Sequence, residues 1–199
     1  YQKYKIKVEI VILIILILLN GIFSMSEMAL VSSKKFKLEN EIKKGNSGAK
    51  TALELTENPN KFLSTVQIGI TLIGILLGVF SGDRLTADLA EFLKQISFIA
   101  PFSKTAASII MVIIITYFSI VFGELLPKRL GLRFPETVSA IVSKPMKFLS
   151  IVTSPFVWLL TITNDTFLKL FGIKDNGDEV VSEEEIKNII KESTEGGEI

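Results

Sequence analysis

Gly123-Glu124-Leu125-Leu126-Pro127-Lys128 places a carboxylate, a helix-breaking proline and an ammonium group within six residues. A helical proline has no N–H to donate, and its ring clashes with the carbonyl four residues back. Pro127 therefore frees the carbonyl oxygen of Gly123 beside the carboxylate of Glu124. Freed backbone oxygens at membrane depth persist only where protein, water or an ion satisfies them. Further oxygens recur at helical spacing. Asn20, Ser24 and Glu27 are spaced i, i+4, i+7 and share one helical face. Ser64, Gln67, Thr71, Gly74 and Gly78 form a second stripe, with Thr65 and Gly69 along its edge. The chain has no cysteine and no histidine. That excludes disulfides, thiolate chemistry, imidazole ligands and any triad needing a histidine base. A metal held here is held by oxygen, which suits magnesium, calcium or sodium and argues against zinc or copper.

Each of these features also has a purely structural reading. Hydroxyl and small-residue stripes are packing seams, and Gly74-x-x-x-Gly78 is the spacing that lets another helix backbone come close. Glu124 has Lys128 at i+4 and Arg129 beside it, so it is also placed to form an exposed ion pair worth a few tenths of a kcal/mol. At Glu124 the cation-site reading is the stronger of the two.

The elements that must position these groups are membrane helices. Apolar residues make up 48% of the chain, ordinary for a soluble domain, but their distribution is not ordinary. Ile10 to Leu19 contains no polar side chain, and the charges lie in blocks between such runs. Spanning the hydrocarbon core takes about 20 helical residues. Three segments reach that length, near 7–31, 60–81 and 104–126, with Pro127 expected to close the third. The expected fold is an all-α membrane protein of three transmembrane helices with juxtamembrane helices over 33–57 and 134–171. The first of these regions reads as two helices, Ser33–Lys44 and Ala49–Glu57, broken at Gly45-Asn46-Ser47-Gly48. Phe148–Thr163 is short for a span and is expected to lie at the interface, a fourth crossing being the alternative.

Lysine and arginine crowd the 32–60 loop and the stretch after the third span, whereas the loop between spans two and three balances Arg84, Lys94 and Lys104 against Asp83, Asp88 and Glu91. The positive-inside rule then puts the N-terminus outside and the C-terminal part in the cytoplasm, as expected of a multi-pass plasma-membrane protein. The sequence opens without methionine, and the expectation is of a trimmed chain rather than a cleaved signal peptide, because no small-x-small site follows the first apolar run. From Lys174 the character changes. Asp175-Asn176-Gly177-Asp178 reads as a turn, and Ser182-Glu183-Glu184-Glu185 as a capping box opening a soluble helix. Residues 1–173 are thus expected to form the transmembrane domain, and 174–199 the start of a cytosolic acidic bundle. A formal net charge of +1 gives no case for nucleic acid.

Three segments in order resemble the CorC and cyclin M magnesium transporter family, some of whose members carry a haemolysin label. Phe23-Ser24-Met25-Ser26-Glu27-Met28-Ala29-Leu30 is similar to the signature closing that family's first span. Phe62-Leu63-Ser64-Thr65-Val66-Gln67-Ile68-Gly69-Ile70-Thr71-Leu72 is similar to its second-span segment, and Gly123 to Lys128 to its third-span motif. The tail from Val181 resembles the start of the family's acidic bundle, which precedes a paired cystathionine-β-synthase (CBS) module. The resemblance implies a homodimer in the lipid bilayer that exports Mg2+, with Na+ influx as the driving force, and that meets ATP only through the CBS module. It implies a metal site of Ser24, Thr65, Ser64 and Glu124, with carbonyls from Gly69 and Gly123, and support from Asn20, Glu27, Gln67, Thr71 and Pro127. One departure matters. Several relatives carry Asn in the second-span segment where Ile70 and Gly74 stand here, leaving Gln67, Thr71 or a water to substitute. The rival expectation is a membrane anchor and signalling scaffold without transport. No nucleophile–base pair supports an enzyme and no strand alternation supports a β-pore.

Overall fold

The computed structural model describes residues 2–57, 59–80, 83–96 and 98–172, and among these all regular structure is helical. The long helix α1 (Gln2–Ser32) is followed by two short ones, α2 (Lys35–Lys43) and α3 (Ser47–Glu57). Next come α4 (Pro59–Phe80) and α5 (Asp83–Leu93). The third span runs from Ala100 to Arg133 through a 3-10 turn, α6 (Ser103–Ile120), a π-helical turn over Val121–Leu125 and α7 (Leu126–Arg133). Helices α8 (Pro135–Val152) and α9 (Ser154–Leu170) complete the described chain. Three helical stretches, Val8–Ser32, Pro59–Phe80 and Ala100–Arg133, are long and apolar enough to cross a membrane.

The turn between α2 and α3 shows how closely local sequence chemistry sets these boundaries. Gly45 adopts φ 87°, which a side chain would disfavour. Its N–H bonds the Ile42 carbonyl at 2.8 Å and the next N–H, of Asn46, bonds Glu41 at 3.1 Å. That pairing is a Schellman stop for α2. Asn46 Oδ1 then accepts from the N–H groups of Gly48 (3.0 Å) and Ala49 (3.2 Å), capping the start of α3.

Helix α1 is the hub of the packed unit, which extends to Val157. At its first half Leu13 and Leu16 bury against Ile73 and Leu77 of α4. At its far end Leu30 joins Leu38, Ala49, Ala52, Phe62, Val66, Val142 and Met146 in a core that ties α2, α3, α4 and α8 together. Against α7 the approach is closer still. A Cβ placed on Gly131 would lie 2.6 Å from the Met25 carbonyl oxygen and 3.1 Å from the Ala29 nitrogen. By contrast the third span is nearly unclothed: 6% of its most apolar stretch is buried, against 22% for α1 and 28% for α4.

Four expectations need correction or completion. Pro127 does not close the third span, because the π-helical turn before it absorbs the mismatch and the helix continues to Arg133. Gly74 and Gly78 are not a packing seam within this chain, since a Cβ at either would meet nothing within 4 Å. Helix α5 was not anticipated in the loop after α4. Phe148–Thr163 falls on two helices interrupted at Thr153, so it is not a single uninterrupted span. The Asp175–Asp178 turn and the Ser182 capping box lie outside the described residues.

Two consequences can be measured. Gly131→Ala pushes a methyl group into the backbone of α1, and such overpacking costs about 1–3 kcal/mol. Its melting temperature in detergent falls, whereas Gly74→Ala, with open space around it, does not destabilise; equal melting temperatures for the two variants would contradict this packing. The second concerns Glu136, whose Oε1 lies 3.2 Å from Lys37 Nζ. Burial pushes its carboxyl up, but its own and Lys34's backbone N–H groups, with the Lys37 ammonium, hold it below the ordinary carboxylate value. A lowered folded value means stability that is present above the ordinary value and lost as pH falls through the lowered one. The acid limb of a stability–pH profile is therefore shallower in Glu136→Gln than in the wild type.

Candidate cation site

The third span breaks its regular hydrogen-bond ladder where the sequence places Gly123 to Pro127. Over Val121–Leu125 the helix widens to π geometry, and the N–H of Leu126 bonds the Val121 carbonyl five residues back. Single π turns inside α-helices are rare and frequent at functional sites. The extra residue also puts Pro127 in the first turn of α7, where a missing N–H is no loss.

Helix α1 braces this break with two adjacent residues. Asn20, 9% exposed, donates from Nδ2 to the Gly123 carbonyl at 3.0 Å. Gly21 lies flat against the Phe122 carbonyl and the Pro127 ring, where a Cβ would stand 2.9 Å from each. A side chain on Gly123 would crowd this contact, its Cβ 3.1 Å from the Asn20 amide nitrogen and 3.3 Å from the Ile17 carbonyl. The carbonyl expected to be freed by Pro127 thus has one lone pair occupied by Asn20, and a carbonyl oxygen has two.

Glu124 is 48% exposed, and its Oε1 accepts from Lys128 Nζ at 2.8 Å. That is the ion pair the spacing allows. Ser24, one turn beyond Asn20, is buried at 1% exposure. Thr65 is equally buried, but its hydroxyl donates to the Lys61 carbonyl at 2.9 Å and accepts from Thr153 at 3.3 Å. Gly69 is roofed by the Phe23 ring, Ser64 and Glu27 are half-buried, and Gln67 and Thr71 are exposed.

The structure therefore joins α1 to the third span through Asn20–Gly123 and α1 to α4 through Phe23–Gly69. It does not join α4 directly to α6 or α7, which make no extended contact with it. Among the described residues no three acidic groups gather as a metal cluster. A cation here would rest on one carboxylate, Glu124, and on neutral hydroxyl and carbonyl oxygens. Two partners were not anticipated: Gly21, whose position next to Asn20 is legible only once α1 and Pro127 are known to touch, and Thr153, which no periodicity connects to Thr65.

The cyclin M transmembrane N-terminal domain family matches residues 11–199. The chain belongs to this family. A UPF0053 protein of Synechocystis is 44% identical over 194 residues, covering 98% of this chain and 43% of the relative. A polyamine export protein of Haemophilus influenzae is 31% identical over 181 residues, covering 91% of this chain and 42% of its own length. The UPF0053 protein YhdP of Bacillus subtilis is 31% identical over 194 residues, covering 96% and 44%. The chain thus spans less than half the length of these relatives. Its three apolar helices make it a multi-pass membrane domain of this family.

The Asn20 brace has a measurable weight. Interhelical side-chain hydrogen bonds in membranes contribute about 0.6 kcal/mol on average and up to about 1.7. Asn20→Leu, which keeps the branching of the side chain and removes the donor, loses an amount in that range by unfolding in mixed micelles. No loss would mean that the Gly123 carbonyl is satisfied without Asn20.

Proposed function

We propose that this chain is the membrane part of a cation transporter that exports Mg2+ in exchange for Na+, with Glu124 as the charged group that meets the ion. The observation that supports it most is the braced π turn beside Glu124. A widened turn with an exposed carboxylate is braced by a neighbouring helix, where a plain anchor would need only a continuous α-helix. Mg2+ demands near-octahedral oxygens and gives up its waters reluctantly. Glu124, the second lone pair of Gly123, the Ser24 hydroxyl and retained waters are the oxygens offered. Thr65 and Ser64 add theirs if α4 moves toward the third span, a displacement of the kind alternating access employs.

Lys128 fits this reading as an internal counter-ion. Its pair with Glu124 is partly exposed on both sides and of the i,i+4 kind, worth only a few tenths of a kcal/mol. A divalent cation displaces such an ammonium at little expense, and the ammonium neutralises the carboxylate when the cation leaves. The outer face of α6 is free for lipid or a second copy, in keeping with a homodimer in the plasma membrane, N-terminus outside. ATP would act through a CBS module beyond this chain. A second reading, export of an organic polycation, is favoured by the relatives named for polyamine export. The non-transporting scaffold remains the rival, and it gives the π turn no task.

Reconstituted protein decides between these. Glu124→Ala abolishes Mg2+ flux while the protein still inserts, and Lys128→Met retains flux, because the lysine holds no ion. Equal loss in both variants would reduce Glu124 to a structural ion pair. Spermidine flux without Mg2+ flux would favour the second reading, and no flux of either at any gradient would leave the scaffold.

A further inference from the structure

A polar cleft of about 450 Å³ opens between α2 and the start of α8, within the range of about 300–1,000 Å³ that ligand sites occupy. Its charged lining consists of two ion pairs, Lys37–Glu136 and Lys44–Glu41. The walls are fixed by hydroxyls. Those of Ser33 and Ser139 lie 2.8 Å apart and join the end of α1 to α8, and Ser143 donates to the Gly48 carbonyl at 2.8 Å, joining α8 to α3. One polar atom is left over. Glu136 Oε1 is enclosed and, although 3.2 Å from Lys37 Nζ, accepts no hydrogen bond among the described residues. Buried acceptors are nearly always hydrogen-bonded, so this oxygen calls for a donor from outside the chain. Lys44 Nζ uses one donor on Glu41 at 2.7 Å, and an ammonium has three. Both carboxyls are held below the ordinary carboxylate value, Glu41 chiefly by its Lys44 hydrogen bond, so the charges of the lining cancel.

The setting is the edge of the membrane. Only Ser33 and Lys34 separate α1 from α2, and only Phe134 separates α7 from α8, so both walls emerge directly from apolar spans. Helix α8 is also inverted relative to a helix in water. Its Ser139, Ser143 and Ser150 are buried, whereas Ile141, Pro145, Phe148 and Val152, stepping by 4, 3 and 4, form an exposed stripe. Hydroxyls inward and apolar side chains outward suit a helix bedded in lipid. Ile141 belongs to both surfaces, lining the cleft and heading the stripe. A ligand seated here meets ion pairs at one end and an apolar track at the other. We infer that the cleft holds the headgroup of a zwitterionic phospholipid with a primary ammonium, its phosphate on Lys44, its ammonium on Glu136 and its acyl chains along Ile141 and Phe148. Cancelling lining charges favour a net-neutral headgroup over an anionic one, and a quaternary ammonium has no N–H to give Glu136 Oε1. Such a lipid is held whether or not the chain moves an ion.

Native mass spectrometry of the delipidated chain, titrated in detergent with single lipids, tests this. Phosphatidylethanolamine binds about tenfold tighter than phosphatidylcholine, the weight of one charge-assisted hydrogen bond, and tighter than phosphatidylglycerol. Glu136→Gln removes most of the preference over phosphatidylcholine, and Lys44→Met, at an exposed position, weakens both lipids alike. Phosphatidylcholine bound as tightly as phosphatidylethanolamine, phosphatidylglycerol bound more tightly, or no lipid retained overturns the headgroup assignment. Preference unchanged in both variants overturns it too, by placing the lipid elsewhere. Soluble O-phosphoethanolamine bound as tightly as the lipid marks a site for a free metabolite and overturns the membrane source. The chain has no cysteine of its own, so a disulfide between copies of Ile141→Cys marks a protein interface and overturns the lipid as occupant.

Discussion

A single interhelical hydrogen bond, from the Asn20 amide to the Gly123 carbonyl, is the constraint around which the rest of this membrane domain is arranged. Pro127 cannot supply the N–H that the third span's ladder needs, and hydrocarbon supplies none. The chain resolves the conflict in two ways at once. It inserts a residue as a π turn, so that the proline falls where no donor is missed, and it brings a side-chain donor from another helix. Both demand that α1 come unusually close, which explains why Gly21, Gly123 and Gly131 stand along that contact. The closeness of α1 to α7 follows from the same need.

That arrangement leaves Glu124 at the edge of a defect rather than on a smooth helix. Its neighbour Lys128 holds it weakly, and the Ser24 hydroxyl lies buried on α1. Helix α4 is tied elsewhere: Thr65 is engaged by Thr153, and Gly69 is covered by Phe23. The domain is thus rigid on the side where α1, α4 and α8 share a core. It is loosely clothed on the side of α6, where the third span meets little protein. The third span is thus held to α1 at Asn20–Gly123 and little covered on its other flank.

Much of this was legible in the sequence. The three spans, the two short helices after the first, and the consequence of Pro127 for the Gly123 carbonyl all follow from local chemistry: apolar run length, glycine and asparagine capping signals, and a missing N–H. Asn20 was legible as a polar group on the right face of α1, though not as the donor to Gly123. What escaped were the facts set by tertiary contact. A proline that would end an isolated helix is accommodated because α1 covers it. Gly74 and Gly78 have the spacing of a packing seam, yet α6 diverges and leaves them lining a cavity.

The most direct test of the central claim is a crystal structure of the protein in membrane mimetic with manganese, a hard cation that takes oxygen ligands and scatters anomalously. The account predicts an anomalous peak about 2 Å from a Glu124 carboxylate oxygen, with Lys128 displaced from that carboxylate and Asn20 still bonded to Gly123. No peak at Glu124 at saturating manganese, with the Lys128 pair intact, would contradict it.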